Sequence, residues 1–323
     1  MSKYKIVFSD YYYPDLHAEM KAFEKLDAEL EIVDCTKIVP GGIFDPRELI
    51  KYAHDADAIV AQFAKLDKPF LDALEHCRII ARYSIGMDTV DLPAAHAKGI
   101  QVANVPDYCI HEVANHAAAH ILNALRQITH SRDLLLRNEF DFSKIRPMHR
   151  CEEQTLCLLG FGHIARELYG KMKPFFAKVV AFDPYFSGQA AYPDVEFLSL
   201  DDALACADVI SVHVPLMPAT AKMLSDAQFA KMKDGAILVN TARGGLIDED
   251  AMLRALDSGK LGYCGLDVLS SEDFAGSPFL RHENVTLTPH AAWCSEEALA
   301  ELQRKVGENV VSALLTGKPV YPV

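Results

Sequence analysis

The sequence predicts an α/β protein made of two parallel-sheet domains, and three observations carry that prediction. Short β-branched runs alternate with segments of helical spacing almost throughout. The alternation occurs twice, on either side of a long Ala- and Leu-rich helical stretch. One last helical pattern follows the final strand and has no further strand to serve. In the first set, strands are expected at 5–9, 30–34, 58–63, 78–84 and 100–105, with helices over 15–26, 46–54, 68–76 and 91–98. A single helix is expected over 111–138, where neither Pro nor Gly interrupts, and 139–154 reads as irregular and polar. The second set places strands at 155–160, 178–183, 195–199, 208–214, 236–241, 263–268 and 285–289. The closing helix, 295–316, ends at Gly317-Lys318-Pro319, a normal helix stop. If that helix returns to the first set, one domain is discontinuous, 1–103 plus 293–323, and the other is 104–292.

The bulk numbers narrow the function. The 323 residues are 50% hydrophobic and 24% charged, ordinary for a globular chain of two domains. The net charge is −13 and no stretch concentrates Lys and Arg, which argues against a nucleic-acid or anionic-membrane partner. An anionic substrate would need a local arginine. The start, MSKYKIVFSDYYYP, lacks a signal-peptide core, and no apolar run reaches the roughly 18–20 residues of a membrane span. None of the eight cysteines forms a CxxC pair, and several sit inside apolar runs such as Leu156-Cys157-Leu158. Free core thiols in a reducing cytoplasm fit this better than a disulfide framework or a metal site, and no metal is expected.

The second set opens with LCLLGFGHIARELYGKM. Gly160, Gly162 and Ala165 form G-x-G-x-x-A between an expected strand and an expected helix. Gly160 permits a tight turn, Gly162 lets the backbone approach a pyrophosphate, and Ala165 lets helix and strand pack closely. The phosphates would rest on the free N–H groups at the helix start, around His163 and Ile164. The next strand ends in Asp183, 21 residues past Gly162, where an acid hydrogen-bonds the ribose hydroxyls and repels a 2′-phosphate. NAD is therefore expected over NADP. The alternative is a plain strand-to-helix turn with a surface aspartate.

Three groups able to act on a substrate follow three strand ends of this set. Arg243 lies in Ala242-Arg243-Gly244-Gly245, and its guanidinium could hold a carboxylate bidentately. A surface arginine at a turn is the plainer reading, against which the two glycines count, since they allow close backbone approach. Glu272 follows Tyr263-Cys264-Gly265-Leu266-Asp267-Val268, and His290 follows Thr286-Leu287-Thr288-Pro289. A lone buried histidine is most often just a satisfied group. A glutamate beside it would raise its pKa and fix its tautomer, so that the imidazolium could donate to a keto oxygen as that oxygen becomes an alkoxide. Trp293, the only tryptophan, would wall the pocket.

With these motifs assembled, the chain resembles the D-isomer-specific 2-hydroxyacid dehydrogenases. The likeness rests on the glycine turn with Asp183, TARGGLIDEDAML, GLDV with Glu272 five residues past Asp267, NVTLTPHAAW, ARYSIGMDTVDL and QVANVPDYCIHEVANHAAAHIL. HAAW and VPDYC are most similar to the C-terminal-binding-protein-like branch, related to phosphoglycerate dehydrogenases. The resemblance implies a Rossmann-type NAD domain, a flavodoxin-like substrate domain and an active-site cleft between them, with hinges near 104 and 292. It implies that Arg243 binds the substrate carboxylate and keto oxygen, that Glu272 partners His290, and that His290 is the acid/base. It further implies substrate contacts from Arg82, Ser84, Ile85 and Gly86, and a nicotinamide side lined by His213, Val214, Pro215, Thr241, Ala242 and Asp267. Members are usually homodimers through the cofactor domain. Three departures stand out: His163 where an arginine is common, Asp273 after Glu272 where a proline is usual, and Arg150-Cys151-Glu152-Glu153-Gln154 in place of a more glycine-bearing approach.

The expected activity is hydride transfer between NAD(H) and a small 2-keto or D-2-hydroxy acid. One alternative is an NAD(H)-sensing, corepressor-like binding protein with little turnover, although the chain stops six residues past Gly317, without a long tail. Another is a sister activity such as formate or phosphite oxidation, against which the Arg-Glu-His set and its aromatic surround argue for a larger acid. Tyr11-Tyr12-Tyr13 and Gln62-Phe63, with Trp293, suggest an apolar or aromatic substrate side chain, with simple domain packing an equal reading.

Overall fold

The computed structural model describes residues 3–271 and 274–323, which form two α/β units. The chain begins with β1 (Lys3–Phe8), α1 (His17–Phe23), β2 (Glu29–Asp34), α2 (Pro46–Ala53), β3 (Ala58–Ala61), α3 (Lys68–Asp72), β4 (Ile79–Arg82), α4 (Leu92–Ala97) and β5 (Gln101–Ala103). Asp45, Asp67 and Asp91 cap α2, α3 and α4 by accepting first-turn N–H groups, each with a proline just inside the helix. The aspartate satisfies an orphan donor, and the proline, lacking one, fits where none is needed. The five strands are all parallel, in the order β2-β1-β3-β4-β5. β3 and β4 are buried along their whole length, as expected of strands covered on both faces.

The second unit contains α5 (Ile110–Arg126), α6 (Ile128–Leu136), β6 (Thr155–Leu159), α7 (His163–Met172), β7 (Lys178–Phe182), β8 (Val195–Phe197), α8 (Leu200–Cys206), β9 (Val209–Val212), α9 (Asp226–Phe229), β10 (Ala236–Asn240), α10 (Glu249–Asp257), β11 (Leu261–Leu266) and β12 (Val285–Leu287). Its seven strands are also all parallel, in the order β12-β11-β10-β9-β6-β7-β8. The strand order reverses between β6 and β9, so the loops leaving those two strands meet at the position where such sheets bind ligands. Leu159, Val180, Ile210 and Leu238 fill the core on one face of the sheet, and Leu158, Val179, Val209 and Val239 fill it on the other.

The last helix, α11 (Glu296–Thr316), starts at the Ser295 cap and belongs to the first unit. It packs on α1, where Gly307 leaves room for Ala22; a Cβ on that glycine would lie 2.9 Å from the Ala22 Cβ. Its Asn309 donates to the Asn104 carbonyl at 3.0 Å, and Lys305 pairs with Asp107 at 2.6 Å. These bonds hold residues 104–107 to the first unit. The division therefore falls after Tyr108 and after Cys294, five and two residues beyond the expected 103 and 292.

The expected single helix over 111–138 is two helices. Gln127 takes a left-handed conformation (φ 52°), and Asn123 Oδ1 accepts from both the N–H and the hydroxyl of Thr129. A side chain thus replaces the helical ladder at the break, which neither Pro nor Gly announces.

Candidate active site

The glycine turn sits at the reversal point of the seven-stranded sheet. Gly160 has φ 89°, and a Cβ there would come within 2.9 Å of the His213 backbone, so no other residue fits without displacement. Gly162 is the N-cap of α7, offers no side-chain cap, and faces open space within 4 Å of where its Cβ would lie. The first N–H groups of α7 are thus left for an anion. His163 is exposed and Ile164 half-buried at that helix start, and Ala165 is fully buried beneath it.

The Asp183 carboxylate ties this turn to the end of β7. It accepts the N–H of Phe161 at 2.8 Å on one oxygen, and those of Tyr185 and Phe186 at 3.0 and 3.1 Å on the other. An acid with two oxygens and several lone pairs can hold the loop in this way and still accept from a ribose hydroxyl.

Across the reversal point, His213 follows β9. Its Nε2 lies 2.8 Å from Ser211 Oγ, and burial pushes its pKa down to about 4, so the ring is neutral. Val214 and Pro215 follow, half-buried and exposed respectively.

At the end of β10, buried Asn240 shapes the turn that carries Arg243. Its side chain donates to the Arg243 carbonyl at 2.9 Å and accepts the Ala242 N–H at 3.0 Å. A Cβ on Gly244 would lie 1.9 Å from the Leu269 carbonyl carbon, so the turn requires glycine there. The hydroxyl of buried Thr241 has no partner among the described residues, an orphaned polar atom of the kind a bound carboxamide satisfies.

At the ends of β11 and β12 the residues converge on Asp267, which is fully buried. Its carboxylate accepts from the Thr288 hydroxyl at 2.6 Å and from the N–H groups of Ala291 and Ala292, each at 2.9 Å. Burial raises its pKa, but bonds from His116, Thr288, Ala292 and Ala291 outweigh that and leave it below the usual carboxylate value. His290 sits inside this loop in the left-handed conformation (φ 52°), its own N–H shared between the carbonyls of Asp267 (2.9 Å) and Thr288 (3.0 Å). For a residue with a Cβ this conformation is disfavoured and persists only where the surroundings over-determine it. Trp293, three residues on, is half-buried. Glu272 and Asp273 lie outside the described residues.

The remaining expected residues lie together in the first unit, at the end of β4. Arg82 is buried there and donates to Ser84 Oγ at 3.4 Å, to the Ala64 carbonyl at 3.5 Å and to the Thr89 hydroxyl. Ser84 donates to the Gly86 carbonyl at 2.6 Å, and the Ile85 carbonyl accepts from Asn104 at 2.8 Å. Arg82 thus acts, in part, as a brace for its own loop.

Sequence reasoning passed over Asn240, Thr288 and the pair His116 and His120, all of which touch the turns that carry Arg243 and His290. The one sequence signal for the pair was two histidines four apart on an Ala-rich helix, which puts them on one face. Asp267, expected on the nicotinamide side, anchors the His290 loop; that bonding depends on contacts between β11, β12 and α5 that no local pattern reveals.

The glycine turn at the reversal point, the Asp183 carboxylate and the Thr241 hydroxyl, without a partner among the described residues, form a donor set that fits a nicotinamide dinucleotide. Residues 118–292 match the family model described as D-isomer specific 2-hydroxyacid dehydrogenase, NAD binding domain. The chain is 38% identical, over 84% of its length, to D-3-phosphoglycerate dehydrogenase of Mycobacterium tuberculosis, and covers 51% of that protein. It thus spans about half the length of these relatives. It is 33% identical to glycerate dehydrogenase of Methylorubrum extorquens, over 85% of this chain and 87% of that one. A glyoxylate reductase from Paecilomyes thermophila shares the fold at TM-score 0.88 and 27% identity, over 100% of this chain and 99% of that one. The chain belongs to the D-isomer specific 2-hydroxyacid dehydrogenases, and NAD is its cofactor.

Proposed function

We propose that the chain interconverts a small 2-keto acid and its D-2-hydroxy acid, with His290 as acid/base, Arg243 on the carboxylate and Glu272 as the partner of His290. The observation that carries this reading is the His290 loop, folded around the Asp267 carboxylate on the same sheet edge as the Arg243 turn and the glycine turn. When bound, the cofactor supplies or accepts the hydride. Gly160, Gly162, His163 and Ile164 seat the pyrophosphate, Asp183 takes the ribose, and Thr241, Ala242, His213, Val214, Pro215 and Asp267 surround the nicotinamide. Arg243 holds the acid by a paired guanidinium–carboxylate contact, which sets the keto carbon in register. His290 donates its proton to the keto oxygen as negative charge develops there, and takes it back in the oxidation direction. Arg82, Ser84, Ile85 and Gly86, gathered at the end of β4, are the substrate contacts proposed for the first unit, and Trp293 is one proposed for the second.

Tyr12 and Phe63 form an edge-on aromatic pair, with centroids 5.8 Å apart, on the loops that leave β1 and β3. Those strands flank the reversal point of the first unit's sheet. Tyr12 is 63% exposed. This supports a substrate with an apolar or aromatic side chain in preference to a phosphorylated one. The test is NADH consumption with glyoxylate, pyruvate, hydroxypyruvate, branched-chain keto acids, phenylpyruvate and 3-phosphohydroxypyruvate, and NADPH run in parallel. No turnover on any of them, with NADH bound, would sink the reading; a preference for the phosphorylated acid would sink the substrate assignment alone.

We further infer a homodimer through the second unit. Ile128, Leu135, Leu136, Phe140 and Phe142 are exposed along one continuous segment, next to a cleft of about 990 Å³. Such apolar exposure marks an interaction surface. All eight cysteines are free, which fits a reducing compartment such as the cytoplasm. Light scattering on the purified chain checks the assembly, and replacing Phe140 and Phe142 by Ser should yield monomers.

A further inference from the structure

Two imidazoles on α5 meet the His290 loop from outside the residues assigned to the reaction. His116 and His120 lie one helical turn apart, with ring centroids 4.9 Å apart and planes at 69°. His120 is buried against β11 at Gly265, where a Cβ would lie 2.8 Å from the His120 side chain, so that glycine makes the space for the ring. Both Nε2 atoms converge on one hydroxyl, Thr288 Oγ1, at 2.9 Å from His116 and 3.2 Å from His120. That hydroxyl lies 2.6 Å from Asp267 Oδ1, and His116 Nε2 is itself 3.4 Å from the same oxygen.

The hydrogen-bond inventory is decisive. A hydroxyl has one proton and two lone pairs. The Asp267 carboxylate only accepts, so the Thr288 proton goes to it, and both lone pairs are left for the two Nε2–H groups. This places a proton on Nε2 of each ring. Burial pushes the His120 pKa down to about 4, with His116 adding to the fall and Asp267 opposing it, so this ring is neutral near pH 7.

We propose that His116 and His120 are positioning residues for the acid/base step. They saturate the Thr288 hydroxyl, orient its proton onto Asp267, and through Asp267 hold the N–H groups of Ala291 and Ala292 and the left-handed turn of His290. The inference rests on the dehydrogenase reading for its effect on turnover, but not for its effect on the loop.

The test compares His116→Leu, which removes the donor, with His116→Gln, which restores an N–H of similar reach. Hydrogen exchange at Ala291 and Ala292, NADH affinity and kcat on the preferred keto acid are measured for each. Loss of a donor in a buried network near a carboxylate should speed exchange at both amides about tenfold and lower kcat about tenfold in His116→Leu. NADH affinity should stay within about twofold, and His116→Gln should recover most of both losses. Wild-type exchange rates in His116→Leu, or a His116→Gln variant no better than His116→Leu, would overturn the proposal. If the protein reduces none of the acids, the dehydrogenase reading fails while the exchange comparison still decides the role of His116.

Discussion

The N–H of His290 donates to the carbonyl oxygen of Asp267 at 2.9 Å, while the Asp267 carboxylate takes the next two N–H groups of the same loop. One buried aspartate therefore shapes the turn from both its backbone and its side chain. Replacing Asp267 by Ala strands three donors. The expected destabilisation is about 3 kcal/mol or more, read by denaturant unfolding. A variant as stable as the wild type would show that the loop does not depend on this carboxylate.

Replacing His290 by Ala removes the proposed acid/base and leaves the dinucleotide cradle untouched. Turnover should fall roughly 10²- to 10⁴-fold. Titration of NADH fluorescence should give nearly the wild-type affinity. Retained turnover would remove His290 from the reaction.

Gly160 and Gly162 should separate folding from cofactor binding. Gly160→Ala places a Cβ in a left-handed turn and 2.9 Å from the His213 backbone, so both stability and NADH affinity should fall. Gly162→Ala meets no protein atom within 4 Å and has an ordinary negative φ. That variant should melt within a few degrees of the wild type, yet bind NADH more than about tenfold more weakly, because its methyl occupies the space a pyrophosphate approaches. Thermal melts with and without NADH check both.

Stability should fall on mild acidification. His120 is held near 4 against an ordinary value of 6.5, chiefly by burial, and His213 shows the same direction and cause. As pH falls below 6.5 the unfolded chain takes up these protons and the folded chain does not, so folding loses stability until about pH 4. The slope is about 1.4 kcal/mol per pH unit for a fully buried histidine. Asp267 is shifted in the same direction from a lower starting value: its contribution is present above the ordinary carboxylate pKa and is lost as pH falls through its lowered value. Urea unfolding at pH 7 and pH 5 should show the first effect, and His120→Asn should flatten it. A stability independent of pH across that range would contradict the burial of these rings.

Much of this protein was legible before its fold was known. Two parallel α/β units and the glycine turn follow from local chemistry. A β-branched run, a glycine that must take positive φ and a helix-capping Asp or Ser depend on neighbours within a few residues, and such patterns survive in a linear sequence. The place of Asp183 beside the glycine turn was legible as well, because its distance from Gly162 is set by one βαβ unit.

The rest is decided where distant segments meet. The helix break at Gln127 is made by an Asn123 side chain that could as easily have faced outward. The boundary after Tyr108 depends on Asn309 and Lys305 reaching back some two hundred residues. The bonds of Asp267 bring together α5, the end of β11 and the loop after β12. Sequence determined which residue types stand at the strand ends, because propensity and turn chemistry act locally. Tertiary structure decided which of them bond to one another, because a hydrogen bond requires atoms within about 3 Å, a condition that only the packed chain can meet.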